Sequence, residues 1–245
     1  SGGIDIRSYR ASHYMKVSDL LGGDYVIDKY DIRNDYNANP QLAVKHVGDK
    51  VYYYDDGLVR WGGLFTQAEY VAGNISSFIN VTASMSGFKK IDYFGDNTSA
   101  WKYKPGFTIK AGSNYNISEK SNVFINLGYL SKTRDFRYYF QGYTANFLPD
   151  SITKNEKVKA LELGYSFISS SFALNVNAYY TKWENKPTSQ VRGEYEDPST
   201  GTGGYTYGDI PGMDALHIGI ELDFIYKIRR NLDFQGLISL GDWTW

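Results

Sequence analysis

From Phe78 to Gly87 the chain reads FINVTASMSG, placing Ile79, Val81, Ala83 and Met85 on one set of alternate positions and Asn80, Thr82, Ser84 and Ser86 on the other. Successive residues of a strand face opposite sides, so this is a strand with one apolar and one polar face. The period returns downstream. Phe107, Ile109, Ala111, Tyr115 and Ile117 oppose Thr108, Lys110, Gly112, Asn114 and Asn116, and Leu161, Leu163, Tyr165 and Phe167 oppose Glu162, Gly164 and Ser166. Phe172, Leu174, Val176, Ala178 and Tyr180 oppose Asn175, Asn177 and Tyr179; Ile218, Ile220, Leu222 and Phe224 oppose Gly219, Glu221 and Asp223. About nine strands are expected over residues 1–245 as a single partial domain, the first beginning near Ile4.

The connections are expected to differ at the two ends of these strands. Short turns fall at 73–77, 118–122, 168–171 and 227–231, whereas long Gly-, Asp- and Tyr-rich stretches cover about 17–60, 89–105, 131–157 and 183–215. Long loops in a compact domain are uncommon and usually functional. Strands of about ten residues, tilted by about 45°, span roughly 24 Å, the height of an outer-membrane apolar band. The pattern therefore predicts an all-β fold, an antiparallel transmembrane β-barrel with short periplasmic turns and long extracellular loops. Two aromatic belts are expected: Tyr70, Tyr115, Tyr165, Phe167, Phe172, Phe224 and Tyr226 by the short turns, and Phe107, Tyr129, Tyr180 and Trp183 toward the long loops.

Composition narrows the function classes. Lys plus Arg number 26 and Asp plus Glu 27, a formal charge of −1, so no basic stripe supports nucleic-acid binding. The chain has no cysteine, which removes thiolate chemistry and disulfides. With no long apolar run for a transmembrane helix, only a closed sheet could span a bilayer. No export signal precedes the first strand and nothing before it could form a plug domain, so the sequence reads as an internal or C-terminal piece of a longer chain, with Trp245 either a true or a trimmed end.

Three stretches then carry a resemblance. Glu162-Leu163-Gly164-Tyr165, Asn177-Ala178-Tyr179-Tyr180 and Gly219-Ile220-Glu221-Leu222, in this order and spacing, resemble barrel strands of TonB-dependent outer-membrane receptors of the Bacteroidetes type. The resemblance implies part of a barrel of about 22 strands around a plug domain that this chain does not contain. It also implies TonB-energised uptake of a scarce nutrient, such as an iron chelate, cobalamin, an oligosaccharide or a peptide, through the outer membrane of a Gram-negative bacterium. The implied partners are the lipid bilayer, the plug, the TonB complex and a surface lipoprotein; no cofactor is implied.

On the barrel reading the polar face, with Asn80, Thr82, Lys110, Asn114, Glu162, Asn175 and Glu221, lines the lumen. Ligand contact is expected in the loops, where Tyr52, Tyr53 and Tyr54 adjoin, where Tyr138, Tyr139, Phe140 and Tyr143 lie close together, and where Tyr205 and Tyr207 sit among glycines. Tyrosine offers a rigid flat surface with a polar tip. Asp55, Asp56 and the stretch from Asp35 lack the spacing of a calcium loop, and His13, His46 and His217 lack that of a zinc site. No nucleophile or phosphate-loop motif is present, and no enzyme is expected. The competing readings are a passive porin-like channel, with charged rings and a loop folded inward, and a non-transport β protein such as an adhesin-like sandwich.

Overall fold

The computed structural model describes residues 1–28, 40–196 and 203–245, the side chains at 40, 189–196, 203–209 and 211 excepted. Nine long strands follow one another: β1 (Gly2–Lys16), β2 (Lys50–Ala72), β3 (Ile75–Asp92), β4 (Lys102–Ser118), β5 (Ser121–Lys132), β6 (Glu156–Ile168), β7 (Phe172–Glu196), β8 (Gly203–Arg229) and β9 (Leu232–Thr244). Each pairs antiparallel with the next, in the order β1 to β9, as one open sheet. All seven inner strands are bonded on both sides, which satisfies their backbone N–H and C=O groups internally as hydrocarbon requires. A two-residue strand, Asn97–Thr98, extends the β3 end, and Val26–Ile27 pairs with Val44–Lys45 above the β1–β2 connection.

Residues directly opposite in an antiparallel pair share a face, so the register sorts every side chain. One rung runs Ile79, Ala111, Leu127, Leu161, Tyr180 and Ile218 across six strands, wholly on the apolar face. The neighbouring rung runs Phe78, Gly112, Asn126, Glu162, Tyr179 and Gly219 on the polar face. Many apolar-face side chains lie open, among them Leu163, Ile220 and Leu240. Among the described residues no second sheet covers them, which speaks against a sandwich and for a face that meets lipid.

The polar face also carries rings. Phe65 lies across Gly3, Phe78 across Gly112, Phe124 across Gly164 and Tyr179 across Gly219, each the register partner of its glycine. A side chain at any of these glycines would collide with the ring, so the pairs let large aromatics lie flat along the wall.

The short connections fall where expected, but the long ones are shorter because the strands outrun the bilayer. β2 begins at Lys50, β3 continues to Asp92, and residues 183–196 and 203–215, expected as loop, pair as a ladder of β7 and β8. β8 has 27 residues, about 90 Å of contour at roughly 3.3 Å each, far more than the ten or so a crossing uses. Beyond the membrane neither face meets hydrocarbon, so the hydrogen-bonded ladder persists while its hydrophobic alternation disappears. Phe107, Tyr129 and Tyr180 lie on the apolar face as expected, but Trp183, opposite Val158 and Ala215, lies on the polar one. The odd step of three positions from Tyr180 puts it on the other side of the strand.

Candidate functional site at the long-loop end

Residues 133–155, between β5 and β6, fold back onto the polar face and pack against it. Phe88 of β3, Tyr139 and Phe140 form a buried cluster, with Val59, Phe136 and Phe147 around it. Tyr139 is fully buried, its ring stacked on Phe88 at 4.4 Å, and Phe140 stacks on Phe147 at 4.6 Å. Tyr138 is buried as well and accepts a hydrogen bond from Arg137 Nη2. Of the aromatic residues expected to contact ligand, Tyr139 and Phe140 fasten the excursion to the wall through Phe88, and Tyr138 is held within the excursion by Arg137.

Polar anchors complete the attachment. Arg134 is buried and donates from Nε to the Lys154 carbonyl, from Nη1 to that of Ile152 and from Nη2 to that of Asn185 on β7, at 2.6, 2.8 and 3.1 Å. Burial lowers its pKa, yet three carbonyl dipoles keep the guanidinium solvated inside the protein. Lys102 and Lys104 of β4 converge on Asp150 at 2.8 and 2.7 Å and hold its carboxyl down at about 2. Lys90 lies 3.4 Å from Asp55 and donates to the Gly142 carbonyl.

This platform presents Tyr143, half-exposed, to the three consecutive tyrosines of β2. The register slips between Tyr14 and Met15 of β1, and Tyr52 takes a positive φ of 67°. That bulge turns Tyr52 and Tyr53 together toward Tyr143. Tyr53 and Tyr143 stack at 5.0 Å and 12°, with Tyr52 edge-on to Tyr143 at 5.1 Å. Burial, then the neighbouring Tyr52, raises the Tyr143 pKa. Tyr54 goes the other way, stacking on Tyr93 at 4.3 Å and meeting Tyr14 edge-on at 5.9 Å. The expected trio is therefore split. Tyr205 and Tyr207 hold register positions opposite Glu194 and Arg192; their side chains lie outside the described residues, as does the stretch from Asp35.

Beside Tyr52 the β1–β2 connection forms an apolar cleft of about 660 Å³, lined by Met15, Val17, Leu21, Tyr25, Ile27 and Val51. Sequence reasoning passed over it, although the apolar residues of LLGGDYVI within a stretch read as loop were its signal. At the same end of the strands a buried carboxylate ties β1, β2 and the end of β3 together: Asp56 accepts hydrogen bonds from Ser12, Arg10 and Tyr93. Burial alone would raise the Asp56 pKa, but these three donors outweigh it and hold the carboxyl below its ordinary value. His13 Nδ1 lies 3.4 Å from Asp55, and His217 meets Trp245 edge-on.

The seven polar-face candidates share one side of the sheet, as the register dictates. Glu162 accepts from Asn126 at 3.0 Å, Asn175 donates to Asp223 at 3.0 Å, Glu221 accepts from Ser239 at 3.4 Å, Asn80 donates to Gln67 and Asn114 to Asn116. Thr82 faces Thr108, and Lys110 stands between Asn80 and Gly128. Glu162 and Glu221 sit two strands apart on adjacent polar-face rungs, about 12 Å between Cα atoms.

No family model matches the sequence, and no curated protein does either. Among solved structures the chain is similar to the FrpB iron transporter from Neisseria meningitidis (F3-3 variant), with TM-score 0.56 and 13% identity over 77% of this chain and 26% of that one. It is also similar to the copper transporter OprC, with TM-score 0.59 and 12% identity over 98% of this chain and 35% of the other. The chain thus spans about a third or less of the length of these transporters. At such identity the likeness is one of fold: the nine strands are a section of an antiparallel transmembrane β-barrel wall, not closed within this chain.

Proposed function

We propose that the chain is part of the barrel of an outer-membrane receptor that takes up a scarce nutrient with energy delivered through TonB. The observation that carries the reading is a sequential antiparallel sheet with one lipid-facing side and one polar side, in the fold of an iron transporter and a copper transporter. In this reading the polar face lines the lumen and meets a plug domain, and a surface lipoprotein is a further partner. The motifs around Gly164, Tyr179 and Glu221 favour the Bacteroidetes type. Tyr52, Tyr53 and Tyr143, with the cleft beside them, are the ligand-contacting candidates, because their rings are grouped and remain accessible at the mouth.

A passive channel is the second reading, because residues 133–155 lie folded on the polar face, as a constricting loop would. The full-length protein separates the two. A receptor gives nutrient uptake that stops when the TonB complex is de-energised and gives no steady conductance in planar bilayers; steady conductance with energy-independent uptake would overturn the receptor reading. Replacing Tyr52, Tyr53 and Tyr143 together by Ala should weaken ligand binding by about tenfold or more while the barrel still assembles. Unchanged affinity would remove the trio from the site.

A further inference from the structure

Toward the long-loop side, the lipid-facing positions of β6 read Tyr165, Leu163 and Leu161, then Lys159 and Lys157; those of β7 read Val176, Ala178 and Tyr180, then Lys182 and Glu184. Lys159 is the register partner of Lys182, and Lys157 that of Glu184, so both strands change from apolar to charged at the same rung. Counted from the turn at 169–171, that rung lies about ten residues up, the length of one bilayer crossing. At the corresponding height the β2–β3 and β4–β5 hairpins carry the pairs Leu64 with Ala83 and Ile109 with Tyr129, all uncharged. The lysine cluster is therefore a local feature.

Its chemistry is two-part. Lys159 and Lys182 both contact Glu184 Oε1, at 3.2 and 3.1 Å, and Asp214 also acts on Lys182, so the three lysines outnumber the two carboxylates and the cluster stays net positive. Directly below lies an apolar groove of about 520 Å³ on the lipid-facing side, lined by Leu161, Leu163, Ala178, Tyr180, Ile218 and Ile220. Lysine stems run along apolar surface while their ammonium groups reach the interface, and cations there attract anionic headgroups. Tyr129, the register partner of Lys159, and Tyr180 supply rings at the same level.

We infer that Lys157, Lys159 and Lys182, with the groove beneath them, form a seat for one phosphorylated lipid: phosphate on the lysines, acyl chain in the groove. A free anion would use the lysines and leave the groove empty, so the two halves together point to lipid. The inference rests on the membrane-spanning reading and adds to it a fixed lipid on the outer wall, away from the ligand-contacting tyrosines.

The test is native mass spectrometry of the full-length protein in detergent, with a bis-phosphorylated glycolipid and with the same glycolipid after removal of its phosphates. The phosphorylated form should be retained at least about tenfold better, and K157Q/K159Q/K182Q should abolish that preference, whereas the triple Lys→Arg variant should keep it. An equal molar amount of inorganic phosphate should not displace the lipid. Equal retention of both lipids by the unmodified protein, an unchanged preference in the Gln variant, or displacement by inorganic phosphate would each overturn the inference. Energised uptake by the Gln variant should persist, so failure of the seat leaves the receptor reading standing; a full-length chain that failed to insert into neutral phosphatidylcholine bilayers would overturn both.

Discussion

Trp243 donates a hydrogen bond from its indole Nε1 to the Tyr179 hydroxyl at 2.9 Å, although β8 lies between their strands. The bond exists because Gly219, the register partner of Tyr179, leaves room for the phenol to cross it. A Cβ at Gly219 would stand 2.5 Å from the Tyr179 hydroxyl and 2.8 Å from the Leu240 carbonyl.

Gly219→Ala should therefore destabilise the full-length barrel by about 1–3 kcal/mol through overpacking. In a Tyr179→Ala background the same change should cost less, since the ring it displaces is gone. Urea unfolding midpoints of the four proteins give the coupling, and additive costs would show that the ring and the glycine are independent.

The two faces predict opposite responses to charge. Val81 lies on the lipid side near the middle of β3 and Asn80 on the polar side beside Lys110. Val81→Arg should cost about 2–4 kcal/mol in bilayer refolding and Asn80→Arg clearly less. Equal penalties would contradict the assignment of sides.

Arg134 joins its own excursion to β7 through three carbonyls in three directions, a geometry that a single ammonium cannot copy. Arg134→Lys should lower the free energy of local opening of residues 133–155 by about 1–3 kcal/mol. Faster proteolysis within that segment, at an unchanged barrel unfolding midpoint, is the expected result; an unaltered digestion pattern would show that the clamp is dispensable.

Tyr139 and Tyr143 should separate packing from recognition. Tyr139, with no exposed surface, should on replacement by Ala cost about 3–5 kcal/mol of the packing that holds the excursion down. Tyr143→Ala gives up ring contacts worth about 1 kcal/mol and should instead show its effect in ligand affinity. Hydrogen exchange across residues 136–147, measured beside ligand binding, distinguishes the two.

The Asp150 carboxyl is held at about 2 against an ordinary 3.8, hydrogen-bonded to Lys102 and Lys104. A depressed folded-state value stabilises the attachment above the ordinary value, and the contribution disappears as pH falls through about 2. The carboxyl is 71% exposed, so the effect is that of a surface pair, small and salt-sensitive. Hydrogen exchange of residues 148–154 should quicken between pH 4 and pH 2 relative to neighbouring loops, and Asp150→Asn should remove that pH dependence.

Alternation by itself determined where strands cross the bilayer, which side of each meets lipid, and where the short turns fall, because hydrocarbon on one side and polar surroundings on the other impose a period of two. Val81, Leu163, Val176 and Ile220 were legible for that reason. Above the membrane the same ladders continue with hydrocarbon on neither face, so the sequence of residues 183–215 carries no such period and read as loop although β7 and β8 pair through most of it. The sorting of the tyrosines was equally hidden. Whether Tyr139 is buried and Tyr143 open, or Tyr53 and Tyr54 part company, depends on a bulge at Tyr52 and on contacts with residues such as Phe88, far away in the chain, and long-range packing of that kind leaves no local signature.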